Sequence, residues 1–229
     1  MTAALKPRDA ATLVIVERSG AEVRVLMGRR HESHKFMPGK FVFPGGAVDP
    51  ADRHMAVAAP LDEIVTEKLL SRTRRRSAGY ARALALAAIR ETFEETGLAL
   101  GVTDLGAPPD PPEGVWTRFA ETGVFPTLDG LDFLARAITP PGRPRRFDAR
   151  FFVADAAAIA HRGTGVVHEE AELTELVWVP IADALRLEIP NITRAILSDL
   201  AALGPVPLDR RRPRKFYRMV HGKYVVEEL

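Results

Sequence analysis

Apolar and β-branched residues dominate 12–17 and 23–28, and Ser19-Gly20-Ala21 parts them, so the stretch predicts two strands of a hairpin. Phe41-Val42-Phe43 is a third apolar run leading into Pro44-Gly45-Gly46, where paired glycines permit close backbone approach. Ala83, Ala87, Phe93 and their neighbours recur at helical spacing and predict a helix over 80–96, stopped by Gly97. From Asp49 to about Gly79 the pattern is irregular except for a helical stretch at 61–70, so the segment reads as an insertion. Four prolines within 106–114 predict a surface loop. Beyond it come strands at 131–138, 147–154 and 175–179, then helices at 181–187 and 191–203. In the last of these Ile192, Ala195, Ile196 and Leu200 face inward.

Strands interspersed with a few helices predict an α/β fold, layers of helix around a mixed β-sheet. The length suits one domain spanning 1–229, with the insertion at about 53–80 and a basic C-terminal arm at about 205–229. Cysteine is absent, which excludes disulfides, thiolate metal sites and a Cys nucleophile, and fits a reducing compartment. The first twelve residues lack a signal-peptide run, and no apolar stretch is long enough to span a bilayer, so a cytoplasmic protein without membrane contact is expected. A net charge of +2 is no nucleic-acid footprint, and nucleic acid is not an expected partner. The arginine runs at 72–76 and 210–218 read as solvated faces or a mobile terminus, although Phe216 and Tyr217 keep RNA, dimer or phosphate contact open for the second.

The chemistry concentrates in Arg90-Glu91-Thr92-Phe93-Glu94-Glu95-Thr96-Gly97-Leu98. Its three glutamates fall at i, i+3 and i+4, on one side of a helix, where like charges are unfavourable unless a cation or Arg90 offsets them. Hard carboxylate oxygens suit Mg²⁺ or Mn²⁺, and Mg²⁺ characteristically joins carboxylates to substrate phosphates. No nucleophile elbow, Walker A loop or HExxH zinc site is present. Trp178, in an apolar strand, reads as core; Trp116 is open between lining a pocket and ordinary packing.

From Phe43 onward the chain resembles the Nudix box, G-x5-E-x7-R-E-U-x-E-E-x-G-U with U apolar. Gly46 matches its opening, and Arg90, Glu91, Glu94, Glu95, Gly97 and Leu98 match its second half. Three departures stand out: Asp52 occupies the place of the first Glu, 37 residues separate it from Arg90, and Thr92 replaces an apolar residue. Lys35, Gly39 and Phe43-Pro44-Gly45-Gly46 keep the spacing of the pattern upstream of the box in the coenzyme A diphosphatase branch, with Lys for Arg. Members with a long insertion inside the box also look similar at Thr139-Pro140 and Arg146-Phe147-Asp148 to Phe151-Phe152.

The resemblance implies a Nudix-type α/β/α sandwich and metal-dependent cleavage of a diphosphate, in coenzyme A or acyl-CoA before ADP-ribose, nucleotide sugars or dinucleotides. A catalytically silent nucleotide-binding regulator is the alternative of another class. It implies Glu94 and Glu95 as ligands of Mg²⁺ or Mn²⁺ with the carbonyl of Gly45, and Arg90 as the holder of Glu91 or Glu94. Glu91 is base or additional ligand. Glu172, six residues before Trp178, fits the loop glutamate that many members add, with Glu169 and Glu170 as rivals. Arg29, Arg30, Lys35, Gly39 and Gly46 are the substrate-side candidates, and the arginines of the insertion are candidates for a 3′-phosphate. A homodimer is an expectation from the family.

Overall fold

The computed structural model describes residues 5–19, 22–33, 37–204 and 206–229. At its centre lies β1 (Arg8–Ser19), which pairs antiparallel with β2 (Glu22–Arg30) and β4 (Gly45–Ala47) and parallel with β7 (Phe147–Asp155). Successive side chains of a strand point to opposite faces. Leu13 and Ile15 accordingly enter one apolar core and Val14 and Val16 the other. A strand buried on both faces reads as a continuous apolar run, as 13–16 does.

From β7 the sheet continues through β6 (Asp132–Ile138) and β10 (Lys215–Val220) to β11 (Lys223–Glu228). From β2 it continues to β3 (Phe41–Val42) and β9 (Leu173–Pro180), making nine strands of mixed direction. A separate antiparallel pair joins β5 (Leu98–Leu100) to β8 (Ile159–Arg162). One face of the large sheet carries α1 (Glu63–Leu70), α2 (Ala78–Thr96) and α3 (Val115–Glu121); the other carries α4 (Ile181–Ala184) and α5 (Asn191–Leu203). The α/β/α layering is the expected one. Among the described residues no helix is long and apolar enough to cross a membrane.

α2 is buried almost all round and packs against β1, β4, α1 and α3. The Ser77 side chain caps its start by accepting from the Tyr80 N–H, and Gly97 ends it at φ 75°, a conformation that costs other residues a Cβ clash. Within α2, Thr92 is fully buried and its hydroxyl donates to the Ala88 carbonyl at 2.8 Å. A threonine can therefore stand in the apolar position of the box, because its one polar group is satisfied inside the helix.

Several expectations need correction. The helix expected at 181–187 ends at Ala184, and residues 185–187 form a turn instead. α3, β5 and β8 were not expected at all; each is short and fixed by tertiary packing rather than by its own periodicity. Pro44-Gly45-Gly46 is not simply a turn, since Gly45–Ala47 is itself a strand. The larger correction is the C-terminal basic run, which is built into the sheet: Arg211, Arg212 and Lys215 are exposed, but Arg214, Phe216 and Tyr217 are buried. It enters the hairpin β10–β11, which extends the sheet parallel to β6. Arg214 is buried and donates to the carbonyls of Phe133 and Asp209, while Arg210 reaches buried Asp132 at 2.6 Å and Asp62 at 3.1 Å. Arg210 and Arg214 are thus structural partners of the sheet and of Asp62.

Candidate active site

The last turns of α2 lie against β4, and that contact assembles the box. Arg90, with 8% of its side chain exposed, is the hub. Its Nε donates to Asp52 Oδ1 at 2.7 Å and its Nη2 to Asp52 Oδ2 at 3.2 Å and to the Ala47 carbonyl at 2.8 Å. Its Nη1 donates to Glu91 Oε1 at 3.0 Å and to Glu94 Oε2 at 3.3 Å. Arg90 thus bonds both Glu91 and Glu94.

Asp52 lies in a short 3-10 turn, Pro50–Arg53, and is 0% exposed. Besides Arg90, the Asp49 N–H reaches its Oδ2 at 2.8 Å and the Trp116 indole reaches its Oδ1 at 3.0 Å. With every direction occupied by a donor, Asp52 is an anchor for Arg90 and has no oxygen left for a metal ion. Trp116 is wholly buried in α3, so it lines no pocket; it connects to the site through Asp52. Nothing in its local sequence announces this, because the partner is 64 residues away.

Glu95 is buried, and the Gly45 N–H donates to its Oε2 at 3.1 Å. Burial pushes its carboxyl well above the usual carboxylate range; the charges of Glu172 and Glu91 push the same way, and the Gly45 N–H and Arg30 oppose them. Burial also raises the Glu91 carboxyl, against the pull of Arg90. The missing side chain at Gly46 in β4 leaves room for this crowd: a Cβ there would sit 2.5 Å from the Glu91 carboxylate. Glu94 is the more open member, with 43% of its side chain exposed.

Glu172 lies in the loop before β9, and its charge reaches Glu95. Glu169 and Glu170 are exposed, and Glu169 borders the groove formed by Arg29, Arg30, His31, Glu32, Thr174 and Glu175. Arg30 donates from Nη2 to Glu172 Oε1 at 2.8 Å, so this substrate-side candidate faces the carboxylate cluster. Arg29 is more exposed, 3.9 Å from Glu32 and with its guanidinium 6.0 Å from the centre of the Phe41 ring. Gly39 lies where its N–H donates to the Arg30 carbonyl at 3.1 Å, closing the end of β2. Lys35 falls outside the described residues.

The arginines of the run at 72–76 lie elsewhere. Arg75 pairs with Asp9 and Arg72 with Glu227, at the N-terminal end of α2. Between Ala78 and Glu95 the helix rises about 25 Å. That separation removes the reason for assigning them a 3′-phosphate of a substrate whose diphosphate sits at Glu95.

The donor set fits a hard divalent cation in kind: four carboxylates and the carbonyl of Gly45, crowded so that buried Glu95 is disfavoured as an anion. As the side chains stand, Arg90 and the Gly45 N–H hold the carboxylates, and among the described residues no three acidic or histidine side chains converge on one point.

No family model matches the chain. A curated Caenorhabditis elegans protein whose name places it among the nudix hydrolases is 29% identical over 155 residues, 64% of this chain. The chain spans 43% of the length of that relative. The crystal structure of a NUDIX hydrolase from Alicyclobacillus acidocaldarius is 30% identical with a TM-score of 0.64, over 84% of this chain and 90% of that one. With that identity sustained across nine-tenths of a solved member, and the two halves of the box meeting at Arg90, the chain belongs to the Nudix hydrolases.

Proposed function

We propose that the chain hydrolyses the diphosphate linkage of a nucleoside-diphosphate derivative in the presence of Mg²⁺ or Mn²⁺, with coenzyme A or acyl-CoA as the preferred substrate. The observation that carries the reading is the gathering of Glu91, Glu94, Glu95 and Glu172 beside Gly45 and Gly46, with Arg90 and Arg30 as the cations among them. A diphosphate resists attack because its own negative charge repels nucleophiles. A bound divalent ion would neutralise phosphate oxygens and acidify a water, and Glu94, Glu95 and the Gly45 carbonyl, with Glu91 or Glu172, would hold it.

The residues of the chain supply the remainder. Arg90 keeps Glu91 and Glu94 on one side of α2, and Gly46 leaves space for the Glu91 carboxylate. Glu91, buried and raised in proton affinity, suits a general base that takes a proton from the attacking water. Arg30, held toward the cluster by Glu172, and Arg29 beside it would meet substrate phosphates, as would Lys35. Cleavage of coenzyme A breaks one P–O bond of the bridge, adds water across it, and yields adenosine 3′,5′-bisphosphate and phosphopantetheine. The preference for coenzyme A rests on the spacing of Lys35, Gly39 and Phe43–Gly46.

The test is incubation with Mg²⁺ and, separately, coenzyme A, an acyl-CoA, ADP-ribose, a nucleotide sugar and a dinucleotide, with products identified by mass. Fastest release of adenosine 3′,5′-bisphosphate supports the reading. Faster turnover of ADP-ribose overturns the substrate, and nucleotide binding without hydrolysis of any diphosphate makes the chain a regulator.

A further inference from the structure

Asp52 stands where the box has a glutamate, one methylene longer. The shorter side chain reaches less far, and the tilt of its carboxylate about the Cβ–Cγ bond is set by the donors around it. One of those donors is Trp116. Its indole N–H donates to Asp52 Oδ1 at 3.0 Å, on the oxygen that Arg90 Nε also reaches at 2.7 Å. Both Asp52 and Trp116 are 0% exposed. The same helix grips α2 a second way: Trp116 packs edge-on against Phe119 at 5.3 Å between ring centres, and Phe119 packs likewise on Phe93 at 5.2 Å. Phe93 precedes Glu94 on α2.

We infer that Trp116 is a positioning residue of this active site: its N–H fixes the Asp52 carboxylate, and Asp52 fixes the plane of the Arg90 guanidinium that carries Glu91 and Glu94. A hydrogen bond to a charged, fully buried acceptor is short, directional and costly to leave unmade. Removing it leaves Arg90 Nε as the single donor on Oδ1, so the carboxylate settles at a different tilt against the guanidinium fork, and the error appears at Glu91 Oε1 and Glu94 Oε2. Residues that orient ligands in this indirect way change affinity or activity by roughly 10- to 100-fold when replaced. A tryptophan serving only to fill space would be replaced by phenylalanine without such a cost.

The effect on catalysis rests on the hydrolase reading, whereas the coupling of the indole to the carboxylates does not. Trp116→Phe keeps an aromatic ring and deletes the N–H. Per folded molecule its kcat falls roughly 10-fold or more, with KM changed less than about twofold. The indole N–H signal of Trp116, told from that of Trp178 by its loss in Trp116→Phe, shifts when Mg²⁺ is added to the parent protein, and the shift disappears in Arg90→Lys. An unaltered kcat in Trp116→Phe, a loss confined to KM, or an indole signal indifferent to Mg²⁺ overturns the inference. If the parent hydrolyses no diphosphate but the signal still moves with Mg²⁺, the hydrolase reading fails and the strut from Trp116 to the carboxylates stands.

Discussion

Replacing Gly46 with alanine separates activity from stability in this molecule. The added Cβ would stand 2.5 Å from Glu91 Cδ and within 2.6 Å of both its oxygens. To reach ordinary contact at 3.4 Å the carboxylate must retreat by about 0.9 Å. It is the far end of a flexible side chain, and the backbone at Gly46 is not in the left-handed region, so the fold absorbs the change at less than about 1 kcal/mol. The chemistry does not absorb it. A misplacement near 1 Å of a group that must meet the reacting atoms costs on the order of 100-fold in rate, or about 2.7 kcal/mol. The assay is initial-rate hydrolysis of coenzyme A with Mg²⁺, beside thermal unfolding of the same samples. Gly45→Ala is the contrast: its Cβ would meet the Ala11 carbonyl at 2.5 Å and Thr12 Cα at 2.7 Å, neither of which can swing aside, so it loses stability as well. A Gly46→Ala protein retaining more than about a third of the parental rate would refute the claim that this glycine exists to seat Glu91.

Asp52→Ala leaves the Arg90 guanidinium and the Trp116 indole buried without their acceptor; breaking a buried pair costs roughly 3–5 kcal/mol, which in a chain of this size lowers the melting temperature by roughly 6–20 °C. Folded Glu95 holds its proton more tightly than an unfolded glutamate, so the folded state binds more protons and metal-free stability falls as pH rises from the ordinary carboxylate range through the raised value. In chelator, Glu95→Gln therefore flattens that decline and melts higher than the parent at neutral pH, while Mg²⁺-dependent hydrolysis is abolished; a Gln variant that melts lower in chelator contradicts the crowding. Arg74→Ala and Arg76→Ala, at the end of α2 remote from Glu95, leave KM for coenzyme A within about twofold by steady-state kinetics.

How much of this was legible in the chain depended on whether a partner was local. α2 announced itself through alanine and leucine at helical spacing and a closing glycine, and its three glutamates fell on one side as the period requires. β1 was equally plain, being apolar throughout its middle. α3 was hidden, since its seven residues carry no side-chain cap at Gly114 and gain their stability from burying Trp116 and Phe119. The hairpin β10–β11 was hidden for a different reason. In Lys215–Val220 the arginines and lysine dominated the reading, while Phe216 and Tyr217 lie buried on opposite faces of one strand. Asp52 was visible as a departure from the box, yet its function as an anchor could not be read until Arg90 and Trp116 were placed around it.

The junction between Asp52 and Arg90 has a consequence for how such a sequence can change over time. The two halves of the catalytic motif are stapled through space, so the stretch of chain that runs between them is released from any duty of spacing. Closing a flexible excursion twice as long costs only about 0.6 kcal/mol more. A longer or shorter stretch there could make other contacts, as the present one does through Asp62 with Arg210 and Arg72 with Glu227, while the chemistry at the other end of the helix goes undisturbed.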